Sequence, residues 1–126
     1  QWNASPNAGF TSGEPWIMVN PNYVSINAEA EENDPDSVLA FYQKLIALRN
    51  KSRTLQYGSY TPLWTEHGQL FAYRRKLDAE AFTIVCNMSG ERAKLPENLA
   101  GEMLLSNIDH LDPQSLLPYE ARVFRG

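Results

Sequence analysis

The hydrophobic pattern of this chain changes period around one stretch. From Asp34 to Arg53 (DPDSVLAFYQKLIALRNKSR) the apolar residues are Val38, Leu39, Phe41, Tyr42, Leu45, Ile46 and Leu48. That spacing predicts an amphipathic helix of about 17 residues, roughly 25 Å long. Asp34 is placed to cap it, with Pro35 at the first helical position, where a missing N–H costs nothing. Asp36 suits the positive end of the helix dipole, and Arg49, Lys51 and Arg53 suit the negative end. A helix touching one neighbour needs a stripe at i, i+3, i+4, i+7. Here the apolar arc is wider, relieved mainly by Gln43, Lys44 and Asn50, so the helix is expected to pack against two surfaces at once.

After the helix the period becomes two. Leu55–Trp64 reads as a strand, with Gly58 and Pro62 pointing to a bulged or edge position. Thr65–Gly68 is a turn, Leu70–Leu77 a second strand, Asp78–Glu80 a tight connection and Ala81–Asn87 a third strand, so the last two form a hairpin. A short strand is expected at Ala93–Leu95 and another at Glu102–Ser106. Asn107–Gln114 reads as a turn-rich loop, and Tyr119–Arg125 as the closing strand. Strands this short and this closely spaced predict a mainly β fold, a small antiparallel β-sandwich, preceded by an irregular segment and one amphipathic helix.

The irregular segment is residues 1–33. Pro, Gly, Asn and Ser recur at nearly every third place, and neither period survives. Yet it carries Trp2, Phe10, Trp16, Ile17, Met18, Val19 and Tyr23, a load that a disordered loop would lack. An ordered segment pressed onto a hydrophobic surface is expected.

Composition narrows the function classes. The chain has 126 residues, 43% hydrophobic and 21% charged, enough for one compact core. A net charge of −4 argues against a nucleic-acid surface, since phosphate binding needs a clustered basic footprint and Arg74-Arg75-Lys76 is the one such cluster. Cys86 is the single cysteine, so no internal disulfide forms and a reducing, cytoplasmic setting is expected. No apolar run approaches membrane-spanning length. An opening at Gln1 without methionine is expected of a piece of a longer chain.

Candidate chemistry is sparse. The dense acidic group Glu29, Glu31, Glu32, Asp34 and Asp36 lies at a helix start, where carboxylates satisfy N–H groups. His67 falls in a turn and His110 in a polar loop, with no further ligand at metal spacing. Cys86 lies mid-strand and reads as a small buried hydrophobe. No nucleophile elbow or phosphate loop occurs. The triplets Asn3-Ala4-Ser5, Asn50-Lys51-Ser52 and Asn87-Met88-Ser89 matter only in a secreted protein. No cofactor or metal is expected.

Several motifs carry a resemblance. Gln1–Asn3, Asn7-Ala8-Gly9-Phe10, Gly13-Glu14-Pro15-Trp16, Val19-Asn20-Pro21-Asn22-Tyr23, Ser25–Glu29 and Tyr42–Arg49 together resemble the C-terminal part of α-glucosidases of the α-amylase superfamily. The group that fits is that of oligo-1,6-glucosidase, dextran glucosidase and trehalose-6-phosphate hydrolase. Phe71–Arg74, Leu104–Asn107 and Leu117–Ala121 carry the likeness more weakly.

The resemblance implies a (β/α)8 barrel followed by a C-terminal antiparallel β-domain. It implies an Asp nucleophile, a Glu acid/base and a stabilising Asp, all on barrel strands that these residues do not include. Residues 1–53 would be the terminal loop and last helix of the truncated barrel, and residues 54–126 the β-domain. Gln1 and Trp2 would close the family's Arg-Thr-Pro-Met-Gln-Trp stretch, so Gln1, Trp2 and Asn3 would be substrate-proximal in the parent. The family usually has Asp where Asn3 stands.

On this basis the chain is expected to be a non-catalytic piece of a retaining α-glucosidase acting on short α-linked glucans. Its partner would be the missing N-terminal catalytic barrel of the same polypeptide, and it would meet oligosaccharide only through that parent. Nucleic acid and membrane partners are not expected, while self-association of the piece is. Two alternatives stay open. One is a carbohydrate-binding module that stacks sugar on Tyr57, Tyr60, Trp64 and Tyr73. The other is a stand-alone protein-interaction domain.

Overall fold

The computed structural model describes residues 1–109 and 112–126, which form two units, Gln1–Ala47 and Leu48–Gly126. In the first, residues 1–33 are ordered by local hydrogen bonds rather than by a repeating pattern. Tight 3-10 turns form at Pro6–Gly9 and Pro21–Val24. A short helix, α1 (Ala28–Glu32), interrupts the stretch read as irregular. Five residues are too few for a period to register, and the signal lies in Asn27, whose side chain accepts from the Ala30 N–H at 2.9 Å.

The long helix, α2, runs Val38–Lys51 and starts later than expected. Asp34 does not cap it. Its carboxylate accepts from the Asp36 N–H at 2.9 Å and its carbonyl from the Ser37 N–H at 3.2 Å, which closes a turn. Ser37 caps instead, its hydroxyl accepting from the Ala40 N–H at 3.1 Å, while the Glu31 carboxylate accepts from the Leu39 N–H at 2.9 Å. Asp-Pro-Asp-Ser offers more than one capping side chain, and propensity alone does not choose between them. No residue of α2 is buried; Val38, Tyr42 and Ile46 are each more than half exposed.

Ser52 breaks the helix. Its hydroxyl accepts from the Leu55 N–H at 3.1 Å and starts a further helix, α3 (Arg53–Tyr57). The strand expected over Leu55–Trp64 is therefore helical in its first three residues, and β1 is only Ser59–Leu63. The next strands lie where alternation placed them: β2 (Leu70–Leu77) and β3 (Glu80–Asn87), joined by a two-residue turn with Asp78 at φ 54°. Then come β4 (Ala93–Lys94), β5 (Glu102–Ser106), β6 (Ser115–Leu116) and β7 (Ala121–Arg125). The sequence pattern missed β6, because two residues carry no period.

Five strands form one antiparallel sheet in the order β1-β2-β3-β7-β5, and β4 pairs with β6. Pro62, which has no N–H to donate, sits in the edge strand β1. Leu70, Ala72, Val85 and Phe124 on the inner face of the sheet pack against Ala93, Leu95 and Leu116 around the small one. This is the mainly β, small antiparallel sandwich the alternation implied.

The loops between β3 and β7 are held by polar groups that the core encloses. The Asn87 side chain donates to the carbonyls of Glu91 (2.7 Å) and Leu117 (2.8 Å) and accepts from the Ser89 N–H (3.0 Å). Glu120 and Arg122, 0% and 2% exposed, pair at 2.6 Å. Nearer the surface, the Asp112 carboxylate accepts from the Ser115 hydroxyl (2.7 Å) and the Gln114 N–H (2.8 Å). The Ser115 hydrogen bond first, then that of Gln114, holds the Asp112 carboxyl below its usual range. The depressed pKa means this contribution is present above the unfolded value and is lost as pH falls through the folded one. Ser115→Ala is expected to move the Asp112 titration up towards the ordinary carboxylate range, as read by carboxyl-carbon NMR; an unmoved midpoint would refute this cause.

Candidate functional site

The three residues expected near substrate occupy the start of the first unit, and main-chain hydrogen bonds fix them. The Gln1 carbonyl accepts from the Ala28 N–H at 2.9 Å, and the Trp2 carbonyl from the Glu29 N–H at 3.0 Å. The Trp2 N–H donates to the Ala8 carbonyl at 2.9 Å. Ala8 and Gly9 can close that turn because both adopt positive φ, 53° and 74°. The Asn3 carboxamide accepts from the Ser5 N–H at 3.0 Å, and a Cβ on Gly9 would lie 3.0 Å from it. Gly9 is thus the residue type that this close approach requires.

Their side chains do not converge. Trp2 is 62% exposed and meets the Phe10 ring edge-on at 6.5 Å. Gln1 donates through its amide to the Ile26 carbonyl and turns instead to an open cleft of about 490 Å³. The cleft is also lined by Asn20, Asn22, Asn27 and Glu31. None of these four was singled out from sequence for this role. The signal was the density of Asn in residues 1–33, read there only as a mark of loops. Carboxamides can donate to and accept from hydroxyl groups but cannot move a proton at neutral pH.

The remaining candidates are occupied structurally. Glu31 and Asp34 bind backbone N–H groups, as above, and His67 accepts through Nδ1 from the Gln69 (3.2 Å) and Leu70 (3.1 Å) N–H groups. His110 lies outside the described residues. Cys86 is half-buried rather than enclosed, because it points to the sheet face opposite the core. Burial pushes its thiol up, away from the thiolate a nucleophile needs. Among the described residues no three His, Cys, Asp or Glu side chains group as metal ligands, and no helix is long and apolar enough to cross a membrane.

Comparison with known proteins supplies what these side chains do not. The family described as "Alpha amylase, catalytic domain" matches residues 1–58. The probable oligo-1,6-glucosidase 2 of Bacillus subtilis (strain 168) is 44% identical over 98% of this chain. The chain belongs to the α-amylase superfamily. The trehalose-6-phosphate hydrolase of Escherichia coli (strain K12) is 38% identical over 96% of it. Among solved structures, the trehalulose synthase MutB from Pseudomonas mesoacidophila MX-45 superposes over 99% of the chain with a TM-score of 0.90 at 36% identity. This α-amylase-superfamily chain spans about a quarter of each, 24%, 23% and 24% of their lengths.

Proposed function

We propose that the chain is a non-catalytic part of a retaining α-glucosidase that hydrolyses short α-linked gluco-oligosaccharides. Residues 1–53 end its catalytic barrel and residues 54–126 form its C-terminal β-domain. The catalytic carboxylates lie in the missing N-terminal barrel of the same polypeptide, in a cytoplasmic enzyme, and Gln1, Trp2 and Asn3 border the substrate. The observation that carries this reading is the exposure of α2: a 14-residue helix with Leu, Ile, Phe and Tyr along it has no buried residue. Trp16, 94% exposed, and Met18, 87% exposed, repeat the theme. Apolar surface of this extent is ordinarily covered by a neighbour.

A retaining glucosidase needs two carboxyl groups about 5–5.5 Å apart, one of them protonated. In this chain Glu120 is enclosed and paired with Arg122, while Glu31 and Asp34 hold backbone amides. The purified chain is therefore expected to release no glucose from isomaltose. Joined behind the catalytic part of the Bacillus subtilis relative, in place of that enzyme's matching quarter, it should support turnover. In that fused enzyme Trp2→Ala should lower kcat/KM about tenfold, roughly 1.4 kcal/mol of transition-state binding. Glucose release by the chain alone would overturn the proposal, and an unchanged kcat/KM would remove Gln1–Asn3 from the substrate's border.

A further inference from the structure

Gln1, Trp2 and Asn3 belong to no helix or strand, and a turn of unusual hand holds them. Asn7, Ala8 and Gly9 follow one another in the left-handed region, at φ 58°, 53° and 74°. Glycine and asparagine tolerate that conformation, whereas alanine adopts it only at a cost in free energy. Ala8 is nonetheless the residue on which the segment depends. It is 0% exposed, and its N–H donates to the Ser5 carbonyl at 2.9 Å. Its carbonyl accepts from the N–H groups of Trp2 (2.9 Å) and Asn3 (3.5 Å). Returning Ala8 to the right-handed conformation would swing that carbonyl away from both.

Strain of this kind persists only where the surroundings over-determine it, and Asn7 supplies the restraint next to Ala8. Its side chain is half-buried, and its amide nitrogen donates to the carbonyls of Gly13 at 2.8 Å and Thr11 at 3.2 Å. Both protons of the amide are thereby used. The Thr11 hydroxyl accepts from the Gly13 N–H at 3.1 Å, which fixes the two carbonyls relative to one another. The Asn7 carbonyl accepts from the Phe10 N–H at 3.0 Å, so the same residue places the ring that meets Trp2 edge-on. Glycine could close the turn by its backbone alone; the carboxamide adds a tether to the loop beyond.

We propose that Asn7 is a positioning residue. Its carboxamide locks the left-handed turn against the 11–13 loop, and through the Ala8 carbonyl it sets where Trp2 and Asn3 stand beside the substrate. The inference rests on the reading that Gln1–Asn3 border the substrate of a larger α-glucosidase. Asn7 acts through the main chain and needs no contact with sugar.

Asn7→Asp tests this. It keeps the size of the side chain and its tolerance of positive φ, while turning two donors into a carboxylate that faces two carbonyl oxygens. In the fused enzyme described above, hydrogen exchange of the peptide holding the Trp2 and Asn3 amides should quicken about tenfold. The kcat/KM for isomaltose should fall about fivefold as the segment shifts. Added to Trp2→Ala, the substitution should lower kcat/KM by less than about twofold more, because both disable the same contact. A purely structural Asn7 would instead multiply the two losses. Circular dichroism shows whether each variant is folded at the assay temperature. Should Asn7→Asp not fold, Asn7→Gly, free to adopt the turn but without the tether, takes its place with the same expectations. Unchanged exchange overturns the proposal, as do losses that multiply in full, or an unchanged kcat/KM for Asn7→Asp beside a lowered one for Trp2→Ala. Each of these leaves the border reading standing. Faster exchange with kcat/KM unchanged in both single variants removes Gln1–Asn3 from the border, and the proposal with it.

Discussion

Arg122→Met is expected to destabilise the second unit by about 3–5 kcal/mol, the usual cost of leaving one member of a buried ion pair without its partner. Glu120 is 0% exposed. Once Arg122 is gone, its carboxylate keeps one neutral donor, the Leu117 N–H at 2.6 Å. The substitution also strips the Asp112 and Ser115 carbonyls of guanidinium donors at 2.8 and 2.9 Å. For a unit of this size each kcal/mol moves the melting temperature by about 4–8 °C, so far-UV circular dichroism should record a fall of roughly 15 °C or more. Glu120→Leu combined with Arg122→Met removes both charges and should recover at least half of the loss, as buried pairs replaced by apolar residues do. A loss below about 1 kcal/mol for Arg122→Met alone would mean that the pair does not lock the 112–120 loop.

That pair illustrates what could and could not be read from residues alone. In YEARVFR the alternation places Glu120, Arg122 and Phe124 on one face of a strand, and that face is the core. The pattern was present. It was misleading because charged residues in an alternating strand are ordinarily the solvated set. The hairpin of β2 and β3 was legible to the residue at nearly every boundary, since eight alternating positions outweigh any local ambiguity. Shorter elements were not: α1, β6 and α3 are five, two and five residues long. Each is set by a cap or a long-range pairing rather than by a period. Asn27 and Ser52 are the sequence signals for the two helices, and both are residues that serve loops equally well.

The candidate site was legible in a different sense. The motif at Gln1–Asn3 could be recognised, but its surroundings could not, because the cleft is assembled from side chains on separate turns and helices. The broad apolar arc of α2 predicted two neighbours, and the described residues only half-bury Leu39, Phe41, Leu45 and Leu48 while leaving Val38, Tyr42 and Ile46 exposed. Sequence thus pointed to a covering surface before any coordinate did. What it could not give was the place of α3 on the sheet, because that follows from the Ser52 cap and from strand register.

The position at which α3 meets the sheet gives the second large effect. Gly58→Ala is expected to cost about 3 kcal/mol, at the upper end of what overpacking usually does. The backbone conformation is not the obstacle, since Gly58 has φ −60° and ψ 157°, open to any residue. Space is. A Cβ there would stand 2.5 Å from the Thr54 carbonyl oxygen of α3 and 2.8 Å from the Lys76 carbonyl oxygen of β2. Both are backbone atoms, so neither can rotate away, and relief requires α3 to lift from the sheet. Lifting it would weaken the Thr54–Glu80 hydrogen bond and uncover Phe82. Gly68 is the internal control: nothing lies within 4 Å of its would-be Cβ, so Gly68→Ala should change stability by no more than about 0.5 kcal/mol. Urea unfolding of the two variants side by side reads the difference. If Gly58→Ala proves as mild as Gly68→Ala, α3 is not pressed onto the sheet.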